Sequence, residues 1–563
     1  MMSTNIISEY CYYPEEAEQG NINQVNQVVC IHENILAEIF DFCAVMPSKL
    51  CSNETLLTVV SRVCKGWKKA AYLCAKKRMI DAPFLYKCGW SHKTADSEIE
   101  FAGKHQILGL DLTKYNLEDR HLKELIKKVT NLCCLSVIQP HVWGFDPVEK
   151  QAKEITEWPV MPSLKTLKLG GYPSAKICAD LAKNCTKLQN ICLLASYINN
   201  NGIKELAKCP NLEEINLQAV KVSAIAFFAD SPKLRKMNLL GTLVTDQELS
   251  SLAKSKTIEE INLENTKVGN DGISSLYLCK NLRKLKLNHS LISDEALIHL
   301  SKSSSLEKLD ISGTPISDRG LAALALCSTL RKLTFCDSTR NHKISAKGIL
   351  SLVSSNLEVV SFTQLNLGRG GFKDFSKIKT LREIDLTSSE VDDDTLFDLA
   401  NCKNLQVIKF SGNDKFITEE GISALIKNNT LIKLDYLGNH FTDKIAQEFP
   451  FSKIEVLYIR RSVITDVGLK ALATSQTLRE LVINLSMVSD AGFLELINCE
   501  SLSRLTLHDA KISKESVLAF IRNKKNLIEI QLKKTILIDK EISEVIKIIA
   551  DERPNLKISI SNY

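Results

Sequence analysis

The sequence predicts an α/β solenoid, a horseshoe of about 18 strand–helix units preceded by a small all-α module. Three observations predict it. An apolar pattern, L-x-x-L-x-L, returns about every 24 residues over most of the chain. A helix start, Ser or Thr and then Asp, repeats with it, as at Thr245-Asp246, Ser293-Asp294, Thr465-Asp466 and Ser489-Asp490. The stretch before residue 106 carries helical stripes and lacks that pattern.

Leu306 to Thr329 shows one unit whole. Leu309 and Ile311 point to one face of a short strand and leave Lys308, Asp310 and Ser312 on the other. A turn with Gly313 and Pro315 leads to Ser317, a helix N-cap, and Asp318, an acid suited to the helix dipole. Leu321, Leu324 and Ala325 then recur at helical spacing. Such a unit cannot bury its own apolar edge and needs copies on both sides. The pattern or a close variant begins at Leu164, Leu188, Leu212, Leu234, Ile258, Leu282, Leu306, Leu330, Leu357, Leu381, Leu405, Leu431, Ile454, Leu478, Leu502 and Leu527. Looser copies begin at Ile107 and Leu132, and a terminal one at Leu556. This period lies in the leucine-rich-repeat range.

The totals fit a soluble folded chain: 563 residues, 44% apolar and 25% charged. A net charge of +6 on that length implies neither a nucleic-acid nor a membrane partner. No apolar run reaches the ~18 residues of a membrane span. The opening MMSTNIISEYCYYPEE lacks the basic start and apolar core of a signal peptide, so a cytoplasmic or nuclear location is expected. The 18 cysteines include no C-x-x-C. Cys185, Cys209, Cys279, Cys327, Cys402 and Cys499 each stand three residues before a strand's first leucine, where other units have Ser231, Ser255, Ser303 or Ser475. One small buried position, filled by reduced thiols, is the expectation.

Taken in order, residues 1–28 are polar and expected to be flexible. Residues 29–75 form the small module. Ile35, Leu36, Ile39, Phe40 and Cys43 share one helical face. Leu56, Val59, Val60, Val63, Cys64, Trp67 and Ala71 make a second stripe. Residues 76–105 are expected to be a linker packed on the solenoid, with Lys76, Lys77 and Arg78 followed by Phe84, Tyr86 and Trp90. Residues 106–563 are the solenoid.

The 29–75 module resembles the F-box. The places of that pattern are held by Ile31, His32, Asn34, Ile35, Leu36, Ile39, Phe40 and Cys43, then Leu56, Leu57, Val63, Cys64, Lys65 and Trp67. His32 stands where the pattern has Pro, and the gap around Pro47 to Thr55 is longer than common. The repeats resemble the cysteine-containing leucine-rich class. Together they are similar to F-box/leucine-rich-repeat proteins, the substrate receptors of SCF-type ubiquitin ligases. That resemblance implies a non-catalytic subunit. Ile35, Leu36, Ile39, Phe40, Leu57, Val63 and Trp67 would contact a Skp-type adaptor and, through it, cullin and RING subunits. The repeats would hold a protein substrate. The alternative is a leucine-rich-repeat interaction scaffold, either in its own cell or as a microbial effector in a host cytosol, without a ligase link.

Strand positions flanking the buried leucines are expected on the concave face. Lys236, Asn238, Lys284, Lys286, Lys308, Asp310 and Lys332 occupy them in the middle units. Lys409, Lys433, Asp435, Tyr458, Arg460, Arg504 and His508 follow. This strip suits an acidic or phosphorylated segment. The aromatic interleaving of single-strand nucleic-acid binders is missing.

Irregular stretches, expected as loops or drifted repeats, lie at Ile138–Met161, Asp337–Lys343, Gln364–Asp374 and Gly438–Phe451. The Gly368-Arg369-Gly370-Gly371 run does not meet the phosphate-loop pattern. No H-E-x-x-H or G-x-S-x-G occurs, and neither cofactor nor metal is expected. Cys178-Ala179-Asp180 matches the C-x-D of some bacterial leucine-rich-repeat ubiquitin ligases, yet falls in a predicted repeat helix, where a core cysteine is expected.

Overall fold

The computed structural model describes residues 86–87, 94–137 and 155–561, apart from 106–107, 113–114, 116, 172, 194–197, 338–342, 412–415, 485–486, 510 and 535. The chain divides into two units, Met1–Gly89 and Trp90–Tyr563. Only the short strand Tyr86–Lys87 is described in the first.

In the second unit, strands from Gly109–Asp111 to Lys557–Ser561 pair in parallel, each with the next in sequence, to make one long sheet. The register repeats the apolar pattern. Leu309 lies beside Leu285 on one neighbouring strand and Leu333 on the other, and all three are at most 2% exposed. The same position holds an apolar side chain in the other strands, such as Ile215, Met237, Ile261 and Val360, so the sheet's inner face becomes a continuous core. Helices cover that face. Most have only six to ten residues, as in Asp318–Leu324 and Lys514–Asn523, and so depend on packing for stability. The described α/β architecture is the expected solenoid.

The Ser/Thr-Asp helix starts join neighbouring units. Asp294, first residue of helix Asp294–Leu300, accepts from the Ser317 backbone N–H of the next unit at 2.8 Å and from its hydroxyl at 2.5 Å. Asp318 does the same for Ser345, Asp393 for Thr418, Asp443 for Thr465, Asp466 for Ser489 and Asp490 for Ser513. Each carboxylate thus satisfies a donor at the following helix's N-terminus. A glycine at the third helical position of the following unit makes room for the carboxylate. A Cβ on Gly272 would lie 2.6 Å from Asp246 Oδ1 and 2.7 Å from Asp246 Cα.

The cysteine position is a packing position. Cys185, Cys209, Cys279, Cys327, Cys402 and Cys499 are at most 3% exposed, and every described cysteine is free. Cys499 Sγ lies 3.5 Å from the carbonyl oxygen of Ser475, one unit back. Burial pushes the Cys185, Cys209 and Cys402 thiols up to about 12.

The irregular stretches resolve differently. Helix Ala95–His105, inside the expected 76–105 linker, pairs with helix Asp119–Lys128 through Arg120 and Asp96 at 3.1 Å. Of Ile138–Met161, residues 138–154 lie outside the described residues. Trp158 is 1% exposed rather than projecting, with its backbone N–H donating to Asp180 Oδ2 at 3.1 Å. Gln364–Asp374 replaces a helix with turns, and Phe372 and Phe375 fill the vacated layer with ring centroids 6.2 Å apart. Gly438–Phe451 forms an ordinary unit with helix Asp443–Glu448. Most of Asp337–Lys343 lies outside the described residues.

Candidate functional site on the concave face

The strands are three to five residues long and alternate buried with half-buried or exposed positions. Their outward side chains therefore form rows that run across the sheet, one residue per strand. Neighbouring residues in a row stand about 4.8 Å apart.

Three rows cross the middle of the molecule. The first, at the strand entrances, alternates in sign: Arg235, Glu259, Arg283, Glu307, Arg331, Glu358 and Arg382. Arg235 pairs with Glu259 at 2.9 Å and Arg283 with Glu307 at 3.0 Å. The second row reads Glu214, Lys236, Glu260, Lys284, Lys308, Lys332. Lys236 meets Glu214 at 2.6 Å and Lys284 meets Glu260 at 3.2 Å. The hydrogen bond that the Lys236 ammonium donates to Glu214 holds its pKa above the usual lysine range. The third row reads Asn216, Asn238, Asn262, Lys286, Asp310, Thr334.

Lys308, Lys332 and Lys286 differ from the others: none has a carboxylate within ion-pair distance among the described residues. Lys308 and Lys332 are exposed and Lys286 is half-buried. Asp310, in register with Lys286, is engaged elsewhere. Its Oδ1 accepts from the Ser312 N–H and hydroxyl at 3.2 and 2.8 Å, and its Oδ2 accepts from Asn288 Nδ2 at 3.1 Å.

Further along, Lys409 reaches Glu383 at 3.0 Å and Asp385 at 3.9 Å. Burial acts to lower its pKa, but these carboxylates more than offset that and raise it. Lys433 Nζ sits 4.1 Å from the centroid of the Tyr458 ring. The Tyr458 hydroxyl donates to Glu480, and burial together with that carboxylate raises its pKa. Arg460 pairs with Asp435 at 2.6 Å, and Arg504 with Glu480 at 3.4 Å. Burial, with Lys533 nearby, lowers the pKa of His508. This end of the face is a closed network of paired groups.

The structure therefore brings Lys236, Lys284, Lys286, Lys308, Asp310 and Lys332 together on adjoining strands, and gathers Lys409, Lys433, Tyr458 and Arg460 into the second cluster. Sequence reasoning missed their partners Glu214, Glu260, Glu383 and Glu480. The signal was present, because each stands about one repeat before or after its cation. The proposed adaptor contacts Ile35, Leu36, Ile39, Phe40, Leu57, Val63 and Trp67 lie outside the described residues.

The rest of the chemistry is structural. Cys178 is fully buried, its thiol pushed by burial up to about 12, and Asp180 is held by Trp158. The Gly368–Gly371 backbone already binds the chain's own carboxylates: Gly368 N–H on Glu390 at 3.3 Å and Gly370 N–H on Asp392 at 2.7 Å. Among the described residues, no helix is long and apolar enough to cross a membrane.

A family model described as a leucine-rich repeat matches residues 302–325. No curated protein matches the chain. The fold is similar to that of an internalin from Listeria monocytogenes, at 16% identity over 59% of this chain and 83% of that one, TM-score 0.36. It is also similar to a Toll-like receptor 13 chain in a complex with single-stranded RNA, at 16% identity over 81% and 82%, TM-score 0.45. A leucine-rich-repeat protein of Leptospira interrogans matches at 15% identity over 84% and 100%, TM-score 0.36. By its strand–helix period, its register and the matched unit at 302–325, the chain is a leucine-rich-repeat solenoid, an architecture of protein-interaction scaffolds.

Proposed function

We propose that the chain is the substrate-recognition subunit of an SCF-type ubiquitin ligase. The F-box-like series ahead of the repeats carries the reading: Ile35, Leu36, Ile39 and Phe40, then Leu57, Val63, Cys64, Lys65 and Trp67. Its apolar faces would dock on a Skp-type adaptor linked to cullin and a RING subunit. The solenoid would hold a target protein on its concave rows. Rate would come from proximity and orientation of the target to a ubiquitin-loaded conjugating enzyme, with no chemistry by this chain.

The test is affinity purification of the tagged full-length chain from a eukaryotic lysate, scored for adaptor and cullin. The expected result is recovery of both, and loss of both with Leu36→Asp combined with Ile39→Asp, while circular dichroism stays that of the folded solenoid. Recovery that survives this change would defeat the assignment. An interaction scaffold without a ligase link, which His32 in place of the pattern's Pro favours, would recover neither from the start.

A further inference from the structure

The asparagine row has a fixed polarity. Asn216 Oδ1 accepts from the Gln218 backbone N–H at 3.0 Å, Asn238 Oδ1 from Leu240 at 3.2 Å, and Asn262 Oδ1 from Glu264 at 3.0 Å. Only the amide oxygen can serve a backbone donor, so the three side chains cannot be flipped. Their Nδ2 groups are left as donors, and none has a partner among the described residues. They line an open groove of about 390 Å³ whose walls include Glu214, Lys236, Glu260 and Lys284. Lys284 and Lys286 form its far end, and Lys308 and Lys332 continue beyond it on the next two strands.

The charge pattern breaks at that end. Glu214, Lys236, Glu260 and Lys284 alternate, and continued alternation would put an acid at 308. Lys308 stands there instead, while the neighbouring Arg–Glu row keeps its alternation through the same strands. The result is a row of neutral donors leading to three cations without carboxylates.

We propose that this groove seats an extended protein segment crossing the strands, with polar residues over Asn216, Asn238 and Asn262 and acidic residues over Lys286, Lys308 and Lys332. The proposal rests on the chain being a protein-binding scaffold, and adds the substrate class. The segment crosses the strands because each inner strand is already paired on both sides and offers no free edge. Neutral donors select carbonyl and hydroxyl acceptors, and the cations select carboxylates by charge-assisted bonds. A nucleic-acid strand fits poorly: Glu214 and Glu260 oppose a continuous phosphate chain, and the groove lining carries no aromatic ring on which bases could stack.

The probe is a fluorescein-labelled peptide with a short run of serines joined to a short run of glutamates, made in both orders, titrated with the purified full-length chain at fixed salt and read by fluorescence anisotropy. Saturable binding is expected. Replacing Asn216→Asp, Asn238→Asp and Asn262→Asp together keeps an oxygen for each backbone N–H while removing the donors, and should weaken binding by at least about tenfold. Lys286→Gln with Lys308→Gln and Lys332→Gln should do the same. The control is Lys254→Gln with Lys280→Gln and Lys302→Gln, an equal charge change at exposed sites on the helix-to-strand turns, and should cost less than about threefold. Absent binding, an equal loss in the control, no loss in the lysine variant, or tighter binding of oligothymidylate would each overturn the proposal. Adaptor capture involves none of these residues, so either reading can fail alone.

Discussion

Lys524 shows what a single position costs when the repeat's rule is broken. It occupies the small buried site that Cys402 and Cys499 fill elsewhere, is 2% exposed, and donates to the backbone carbonyls of Cys499 and Ile497. Burial lowers its pKa. The sign follows. Folding favours the neutral amine, so it is opposed while the unfolded lysine is protonated, and that opposition fades as pH rises toward the ordinary lysine value of about 10.4. Asn428 solves the same problem without charge, its Nδ2 donating to Ala400 and Cys402 carbonyls at 2.8 and 3.1 Å. Lys524→Asn should therefore match or exceed the parent's stability at pH 7, by on the order of 1 kcal/mol. It should also lose the alkaline part of the pH dependence. Urea denaturation between pH 7 and 10 checks both; a parallel pH dependence in the two proteins would refute the account.

At the scale of the element, the helix start carries more than a cap. An alanine in place of a helical glycine ordinarily gains about 1 kcal/mol. At Gly272 the sign should reverse, with Gly272→Ala costing about 1–3 kcal/mol, because the new Cβ displaces Asp246 and with it the 2.7 Å bond to the Gly269 N–H. Denaturant midpoints of the two proteins decide it, and a stabilised variant would refute the linkage between units. The Ser/Thr-Asp helix start was legible in the sequence beside the strand and helix patterns, because each local signal recurs along the chain. Its reason was not, since the Asp serves the unit that follows. The Gln364–Asp374 stretch was legible only as an irregularity: Phe372 and Phe375 fill a layer that no helical periodicity announced. The cations of the strip stand at outward strand positions that alternate with buried apolar ones. Their neutralisation by Glu214, Glu260 and Glu383 becomes visible only when the units are laid in register.

The unit Trp90–Tyr563 is, over its described residues, a one-dimensional stack in which hydrogen bonds, caps and ion pairs run between adjacent repeats, each spanning roughly one repeat of sequence. The Asp-to-N-cap bonds add the same directional link again and again from Asp246 to Ser513. Mechanical behaviour follows from that arrangement. Pulled by its two ends, such a stack has no central knot of contacts to break; tension should peel units from a terminus in turn. Each released unit of about 24 residues would lengthen the chain by roughly 80 Å at full extension. Optical-trap traces should show a staircase of such steps or small multiples of them, whereas one abrupt rupture of the entire length would mean that distant units are coupled. A scaffold built this way can yield at one end while its bound partner stays gripped in the middle.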